Sequence, residues 1–421
     1  MYTSDVAWHT EHYGPPDQFG YKDFIPLFTV PRYDPSAWAA LFKESGAHYV
    51  VPVAEHHDGF AMWDSDITPW CAGKMGPKRD LIGELACAVR SQNLIFGVSS
   101  HRMEHHTFIY PAQGVPNDQF DPKYASFYGP PVPGHMNDGN ASAAFQEDWR
   151  PQSGADRQVP PQLLYFDNGV NERAYDSIKL RLAAYYYNRI PEGSLSTKDI
   201  VYLAGSIPDF EKAAREPRWI YPGAWQVDDS IGTTWGYTDG MKYRSAAAII
   251  QELVDIASKG GNLLLNISPK GDGSIPREQQ VILKQIGAWL KVNGEAINGS
   301  TPLRVYGEGP SVPKDAPPDW RGGSTAQPTP MPPKRMPTYT AQDVRYTKNN
   351  GALYVTGMAP AATASLNELS STKAQVSRVT LLATGQLLIF QQTPEALTIN
   401  LGPNVPAPYV LKIEGTQNLS A

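Results

Sequence analysis

Two cysteines in 421 residues, Cys71 and Cys87, are too few for a disulfide framework or a Cys-based zinc ribbon, so free thiols are expected. There is no run of about 18 apolar residues that could cross a bilayer as a helix. The N-terminus, M-Y-T-S-D-V-A-W-H-T, lacks the basic and apolar stretches of a secretory signal. No basic run occurs and the net charge is −6, which argues against nucleic acid or an anionic membrane as partner. At 41% hydrophobic and 19% charged, the chain is globular, not disordered. Aromatic residues, by contrast, are plentiful. Their rings stack on the C–H faces of sugars, although they also simply fill cores.

The segment Q-L-L-Y-F-D-N-G, Gln162 to Gly169, is the point around which the chain is organised. Leu163 to Phe166 has strand character, Asp167 follows directly, and Asn168 and Gly169 are turn formers. A lone carboxylate therefore stands where a buried strand gives way to a loop. In parallel α/β architectures that is where catalytic groups collect. An isolated F-D-N-G is equally what a turn aspartate closing a strand looks like.

Other segments repeat the arrangement. Tyr49–Ala54 reads as a buried strand ending in Glu55-His56-His57-Asp58, and Leu94–Ser99 as a strand ending in Ser100-His101-Arg102. Asn262–Ile267 is another, followed by Ser268-Pro269-Lys270-Gly271-Asp272, and Ile200–Ala204 is a further candidate. Helices are expected over Pro35–Ser45, Asp80–Gln92, Tyr175–Arg189, Ser245–Ser258 and Arg277–Lys291. This alternation predicts an α/β fold, a (β/α) TIM-like barrel, over residues 1–300. Residues 301–338 read as a Pro- and Gly-rich linker or loop. Residues 339–421 read as short strands of an all-β sandwich.

His101-Arg102-Met103-Glu104-His105 matches the H-x-x-E-H pattern of inverted zinc peptidases. That chemistry needs a helix, and this match follows a strand, so no metal ligand is assigned. His56 and His57 are adjacent. On extended backbone they point to opposite sides and do not share a metal, and hydrogen bonding to a polyhydroxy ligand suits them better. Glycosidic cleavage needs two carboxylates. Asp167 is the first candidate; Glu211, Glu216, Asp228 and Asp229 are available as the second.

Taken together, E-H-H-D-G-F-A-M-W at Glu55–Trp63, the strand ending in Asp167, W-G-Y at Trp235–Tyr237, S-K-G-G-N-L-L-L-N-I-S-P-K-G-D-G at Ser258–Gly273 and N-G-E-A-I-N-G at Asn293–Gly299 resemble the α-L-fucosidases of glycoside hydrolase family 29. The resemblance implies a retaining exo-glycosidase that releases terminal α-L-fucose from glycans and needs no metal or other cofactor. It places Asp167 as nucleophile and His56 and His57 as the fucose-binding pair. Tyr165, His101, Arg102 and Trp235 are further substrate-binding candidates. Many family members carry W-E where this chain has Trp225-Gln226, and Gln226 cannot deliver a proton. Phe210-Glu211-Lys212 is similar to an F-E-R segment of members with W-Q, which makes Glu211 the expected acid/base and Glu216 the second choice.

The family's opening strand ending in H-W-G and its E-W-Y segment are not found, and the sequence is expected to start after the first barrel strand. An unpaired strand edge would then favour a homo-oligomer. The second reading is an impaired homologue that binds fucosylated glycans. A leader upstream of Met1 would make the protein secreted or periplasmic.

Overall fold

A computed structural model describes residues 3–102, 105, 115–129, 160–167, 176–198, 205–211, 217–313 and 338–415. The apolar runs of the sequence become parallel strands alternating with helices, and the C-terminal part becomes antiparallel sheets. The fold class is α/β, a TIM-like barrel followed by an all-β sandwich. The chain divides into two units. One comprises Met1–Lys43, Ala47–Pro208 and Pro269–Pro276; the other comprises Glu44–Gly46, Asp209–Ser268 and Arg277–Ala421. Among the described residues no helix is long and apolar enough to cross a membrane.

In the first unit, α1 (Thr3–Tyr13) precedes α2 (Pro35–Glu44). Asp34 caps α2, its carboxylate accepting from the Ala37 amide at 3.0 Å. The expected strand Tyr49–Ala54 is broken into β1 (Tyr49–Val50) and β2 (Val53–Glu55). Pro52 interrupts it because it has no N–H, but its carbonyl still accepts from the Ser99 amide at 3.0 Å and keeps the ladder in step. Helix α3 (Leu81–Ser91) starts at Asp80, whose carboxylate accepts from the Gly83 amide at 2.7 Å. Its buried Ile82, Leu85, Ala86 and Val89 lie on one stripe. They join Phe96 and Val98 of β3 (Ile95–Ser100) and Leu164 and Phe166 of β4 (Leu163–Phe166) in one core. Each of the larger side chains among these contributes about 1.5–3 kcal/mol by leaving water.

Helix α4 (Asp176–Arg189) sends Leu182 and Tyr186 into the same core. Then comes β5 (Ser194–Lys198), which the sequence does not announce; the expected strand Ile200–Ala204 lies outside the described residues. S-L-S-T-K has a single apolar residue. Its buried Ser196 and Thr197 are instead satisfied by hydrogen bonds to the Ile207 carbonyl at 3.0 Å and to Ser206 Oγ at 3.3 Å. A short strand, β6 (Ile207–Asp209), follows.

In the second unit, β7 (Trp225–Ser230) pairs in parallel with β8 (Gly261–Asn266), and α5 (Ala246–Ser258) connects them. Ser245 caps α5, its hydroxyl accepting from the Ala248 amide at 3.2 Å. Helix α6 (Arg277–Asn293) comes next, and then β9 (Thr301–Glu308). Strand β9 occupies the start of the stretch read as linker and pairs antiparallel with β10 (Val344–Asn349). Pro302 and Gly307 disguise its strand character in the sequence. Among the described residues the remaining strands are β11 (Ala352–Gly357), β12 (Ala361–Leu366), β13 (Arg378–Leu381), β14 (Gln386–Leu387), β15 (Phe390–Gln392), β16 (Leu397–Val405) and β17 (Tyr409–Glu414). They form one sheet in the order β14-β13-β17-β11-β10-β9 and a second in the order β12-β16-β15. Leu303, Tyr346, Val355, Leu366, Ile399 and Leu411 lie in the core they share.

Gly287 of α6 supplies a test of this packing. A Cβ added there would lie 1.9 Å from the Glu44 carbonyl oxygen, a backbone atom that cannot swing away. Gly287→Ala is expected to cost on the order of 3 kcal/mol, the upper end of overpacking penalties. Urea titration checks it, and an unchanged midpoint would show that the helix can shift.

Candidate active site

The strand register of the first unit lines up one row of residues. Glu55 of β2 pairs with Ser100 of β3, Ser100 with Phe166 of β4, and Phe166 with Thr197 of β5. The next residue on each strand is therefore His56, His101, Asp167 and Lys198, in that order along the C-terminal rim. In-register neighbours of a parallel sheet point the same way and sit about 4.8 Å apart. Backbone bonds hold the row: the His101 amide donates to the Glu55 carbonyl at 2.9 Å, and the Asp167 amide to the Ser100 carbonyl at 3.3 Å. Four side chains able to bind or transfer charge thus meet because four strands end together.

Their contacts follow from this row. His56 stacks on His101 with ring centroids 4.4 Å apart. His101 Nδ1 lies 3.0 Å from Asp167 Oδ2, and Lys198 Nζ donates to Asp167 Oδ1. Burial alone would raise the Asp167 pKa. His101 and Lys198 outweigh it and hold the carboxyl well below the usual carboxylate range. Asp167 is therefore ionised at any physiological pH. Its side chain retains 16% exposure, so an incoming molecule can reach it.

The two adjacent histidines behave differently from the expectation for extended backbone. The chain leaves the strand after Glu55 and turns at His57 and Asp58. This folds the two rings together, with centroids 4.4 Å apart, and brings both beside His101. Burial first, then the neighbouring imidazoles, push His56 down to about 3 and His57 to about 4. Both are neutral at pH 7, although His56 keeps an exposed edge. His57 Nδ1 lies 2.9 Å from the His101 carbonyl. A carbonyl only accepts, so Nδ1 carries the proton and Nε2 the lone pair.

Tyr165 lies on β4 between the core residues Leu164 and Phe166 and is itself buried. Arg102 is buried and donates to Glu55, an ion pair that the sequence reading did not anticipate. Of the H-x-x-E-H residues, Glu104 lies outside the described residues. His105 places Nδ1 2.6 Å from the His57 carbonyl and Nε2 2.7 Å from the Phe127 carbonyl. Both its ring nitrogens face backbone oxygens, so His101 and His105 do not form the metal pair that the pattern requires. Lys198 was also missed. Its only signal was its position at the end of a strand whose composition hides it.

Glu211 and Trp235 belong to the second unit. Glu211 is half-buried just beyond β6, where the Phe210 amide donates to the Gln226 carbonyl at 2.9 Å. The Gln226 amide itself donates to Asp209 Oδ2 at 2.6 Å. Glu216 lies outside the described residues. Asp229 is paired with Arg244 at 2.9 Å. Trp235 is half-buried, and its carbonyl accepts from Asn266 Nδ2 and Ser268 Oγ, both at 2.8 Å. The W-G-Y loop is thus pinned to the end of β8.

Residues 1–295 match the family model described as Alpha-L-fucosidase. Tissue alpha-L-fucosidase of Rattus norvegicus is 32% identical over 319 residues, 72% of this chain. The chain spans 63% of that relative's length. A solved alpha-L-fucosidase structure is similar with a TM-score of 0.74 and 27% identity, covering 97% of this chain and 83% of its own. The Thermotoga maritima alpha-fucosidase in complex with a mechanism-based inhibitor aligns with a TM-score of 0.72 and 26% identity, over 97% and 84% of the two chains.

Proposed function

Since the chain belongs to the alpha-L-fucosidase family, we propose that it is a retaining exo-acting α-L-fucosidase that removes terminal α-L-fucosyl residues from oligosaccharides or glycoconjugates. The observation that carries this reading is the ionised Asp167, reachable at a strand end and flanked by His101 and Lys198. A retaining enzyme needs a carboxylate that attacks the anomeric carbon and a second group that protonates the leaving oxygen. Asp167 is the nucleophile. Its attack forms a glycosyl-enzyme ester as the aglycone departs with a proton from the acid. The same acid, now a base, deprotonates the water that opens the ester. Lys198 holds the carboxylate charged before attack and stabilises it again as it leaves.

His56, being neutral, carries one donor and one acceptor for sugar hydroxyls, and His57, whose Nδ1–H points at the His101 carbonyl, presents its Nε2 lone pair as an acceptor. Their lack of charge suits a neutral substrate. Tyr165, His101, Arg102 and Trp235 remain the further substrate-binding candidates, and Glu211 the acid/base ahead of Glu216 and Asp229. Release of nitrophenol from a nitrophenyl α-L-fucoside is the direct test. A folded chain that binds L-fucose without releasing nitrophenol would make it a binding homologue instead.

The acid has its own test. Glu211→Gln keeps volume but removes the proton. A nitrophenyl leaving group needs little protonation, so glycosylation of the enzyme by such a substrate suffers least. Natural fucosides with poor leaving groups should slow by roughly a hundredfold or more. Wild-type rates on both substrates would move the assignment to Glu216.

A further inference from the structure

The geometry points to a transition-metal site formed by His56, His57 and His101, at which a divalent ion of the zinc and copper class binds and blocks the sugar pocket. One ring nitrogen from each of the three lies within 4.8 Å of the other two. Nitrogens bound to one Zn²⁺ at about 2.0–2.1 Å are roughly 3.4 Å apart in tetrahedral geometry. Closing the remaining gap of about 1.4 Å requires the stacked rings of His56 and His101, 4.4 Å apart, to swing until their in-plane lone pairs converge. The set is three imidazoles with open positions for water, the donor set that suits zinc, copper, nickel and cobalt and not magnesium or calcium.

The surroundings resemble those of ligating histidines elsewhere. A metal-bound imidazole usually donates its other N–H to a backbone carbonyl or a carboxylate, which fixes its tautomer. His57 does the first, Nδ1 lying 2.9 Å from the His101 carbonyl. His101 is held by side chains, Nδ1 lying 3.0 Å from Asp167 Oδ2 and Nε2 3.2 Å from Ser99 Oγ. In His57, Nε2 then carries the lone pair a metal needs, whereas His101 must give up its contact with the Ser99 hydroxyl to offer Nε2. His56 keeps an exposed edge, which leaves a way in from solvent. The H-x-x-E-H pattern, read from spacing, pointed at His101 with the wrong partner. The turn after Glu55 supplies the right ones.

The consequence for activity rests on the proposed function. The hydrolysis runs on carboxylates and needs no metal, so the ion acts as a reversible inhibitor competing with the fucoside. Its two positive charges also sit beside Asp167 and lower the electron density available for attack.

The test uses the full chain, stripped of metal by a chelator that is then removed. Titration with Co²⁺ should give one saturating equivalent and the visible absorption of a tetrahedral or five-coordinate ion. Calorimetry should rank Cu²⁺ tightest, with Ni²⁺ ahead of Co²⁺, while Mg²⁺ and Ca²⁺ give no signal. Zn²⁺ should protect His56, His57 and His101 of the wild-type chain from diethylpyrocarbonate, mapped by mass spectrometry. His57→Gln should weaken Zn²⁺ at least tenfold, and His12→Gln, a substitution on the exposed face of α1, should leave it unchanged. Absence of saturable binding below about 1 mM, or protection falling on other histidines, overturns the site. Binding at the triad in a chain that hydrolyses no fucoside would leave the site standing and remove the functional reading alone. Hydrolysis without binding does the reverse.

Discussion

Replacing Asp167 by glycine is expected to cut turnover of a nitrophenyl α-L-fucoside on the order of ten-thousandfold while leaving the fold in place. At about 1.36 kcal/mol per factor of ten, that corresponds to roughly 5.5 kcal/mol of barrier. The size follows from the chemistry: without a carboxylate no covalent intermediate forms, so the two-step route is lost and not merely slowed. The fold should survive because Asp167 stands at the end of β4, beyond the buried Leu164 and Phe166. The Lys198 it leaves behind keeps 12% exposure and can take water into the vacated space. Added azide should restore part of the rate and yield a fucosyl azide of inverted configuration, since the anion occupies the place of the carboxylate. A loss smaller than tenfold, or a variant that unfolds, would falsify the nucleophile assignment and make Asp167 the turn residue that F-D-N-G also resembles.

Lys198→Met should have the next largest effect, on the order of a hundredfold in kcat/KM. Its clearer readout is the pH profile. Asp167 is held low by His101 and Lys198 against the opposing effect of burial. Removing the lysine leaves burial less opposed, so the carboxyl pKa rises and the acid limb of kcat/KM moves to higher pH. Stability follows the same sign. A carboxylate whose folded pKa is depressed stabilises the protein above its unfolded value of about 3.9, and that contribution is lost as pH falls through the folded value. The variant should therefore show less acid-dependent loss of stability than the wild type between about pH 4 and lower pH. Lys198→Arg should restore most of the rate and the original limb. An acid limb that does not move in Lys198→Met would show that His101 alone sets the charge of Asp167.

Much of the fold is legible because hydrophobic period and capping are local. The stripe of Ile82, Leu85 and Val89 and the cap at Asp80 announce α3, and Ser245 announces α5 in the same way. Strands β3, β4 and β8 are short apolar runs bounded by polar or turn residues, and they were found within a residue or two. Among the strands that escaped, two did so for identifiable reasons. Strand β5 buries hydroxyls that find hydrogen-bond partners only after folding, so its composition looks like a loop. Strand β9 carries a proline and a glycine that are tolerated because of where they fall in the ladder.

By itself the sequence determined which residues end strands: Glu55 before the histidine pair, Ser100 before His101, and Phe166 before Asp167. It also determined, through its motifs, the family to which the chain belongs. What it could not contain is who stands next to whom. Lys198 reaches Asp167 across 31 positions of chain because β4 and β5 share a register, and register is set by burying whole faces, not by any spacing in the sequence. His56 and His57 were read as pointing apart because extended backbone alternates its side chains. A turn at His57 and Asp58 brings them together, and the packing of His105 between the His57 and Phe127 carbonyls holds that turn in place. The charge of Asp167 is likewise a tertiary property, since burial and two neighbours from other strands act on it in opposite directions.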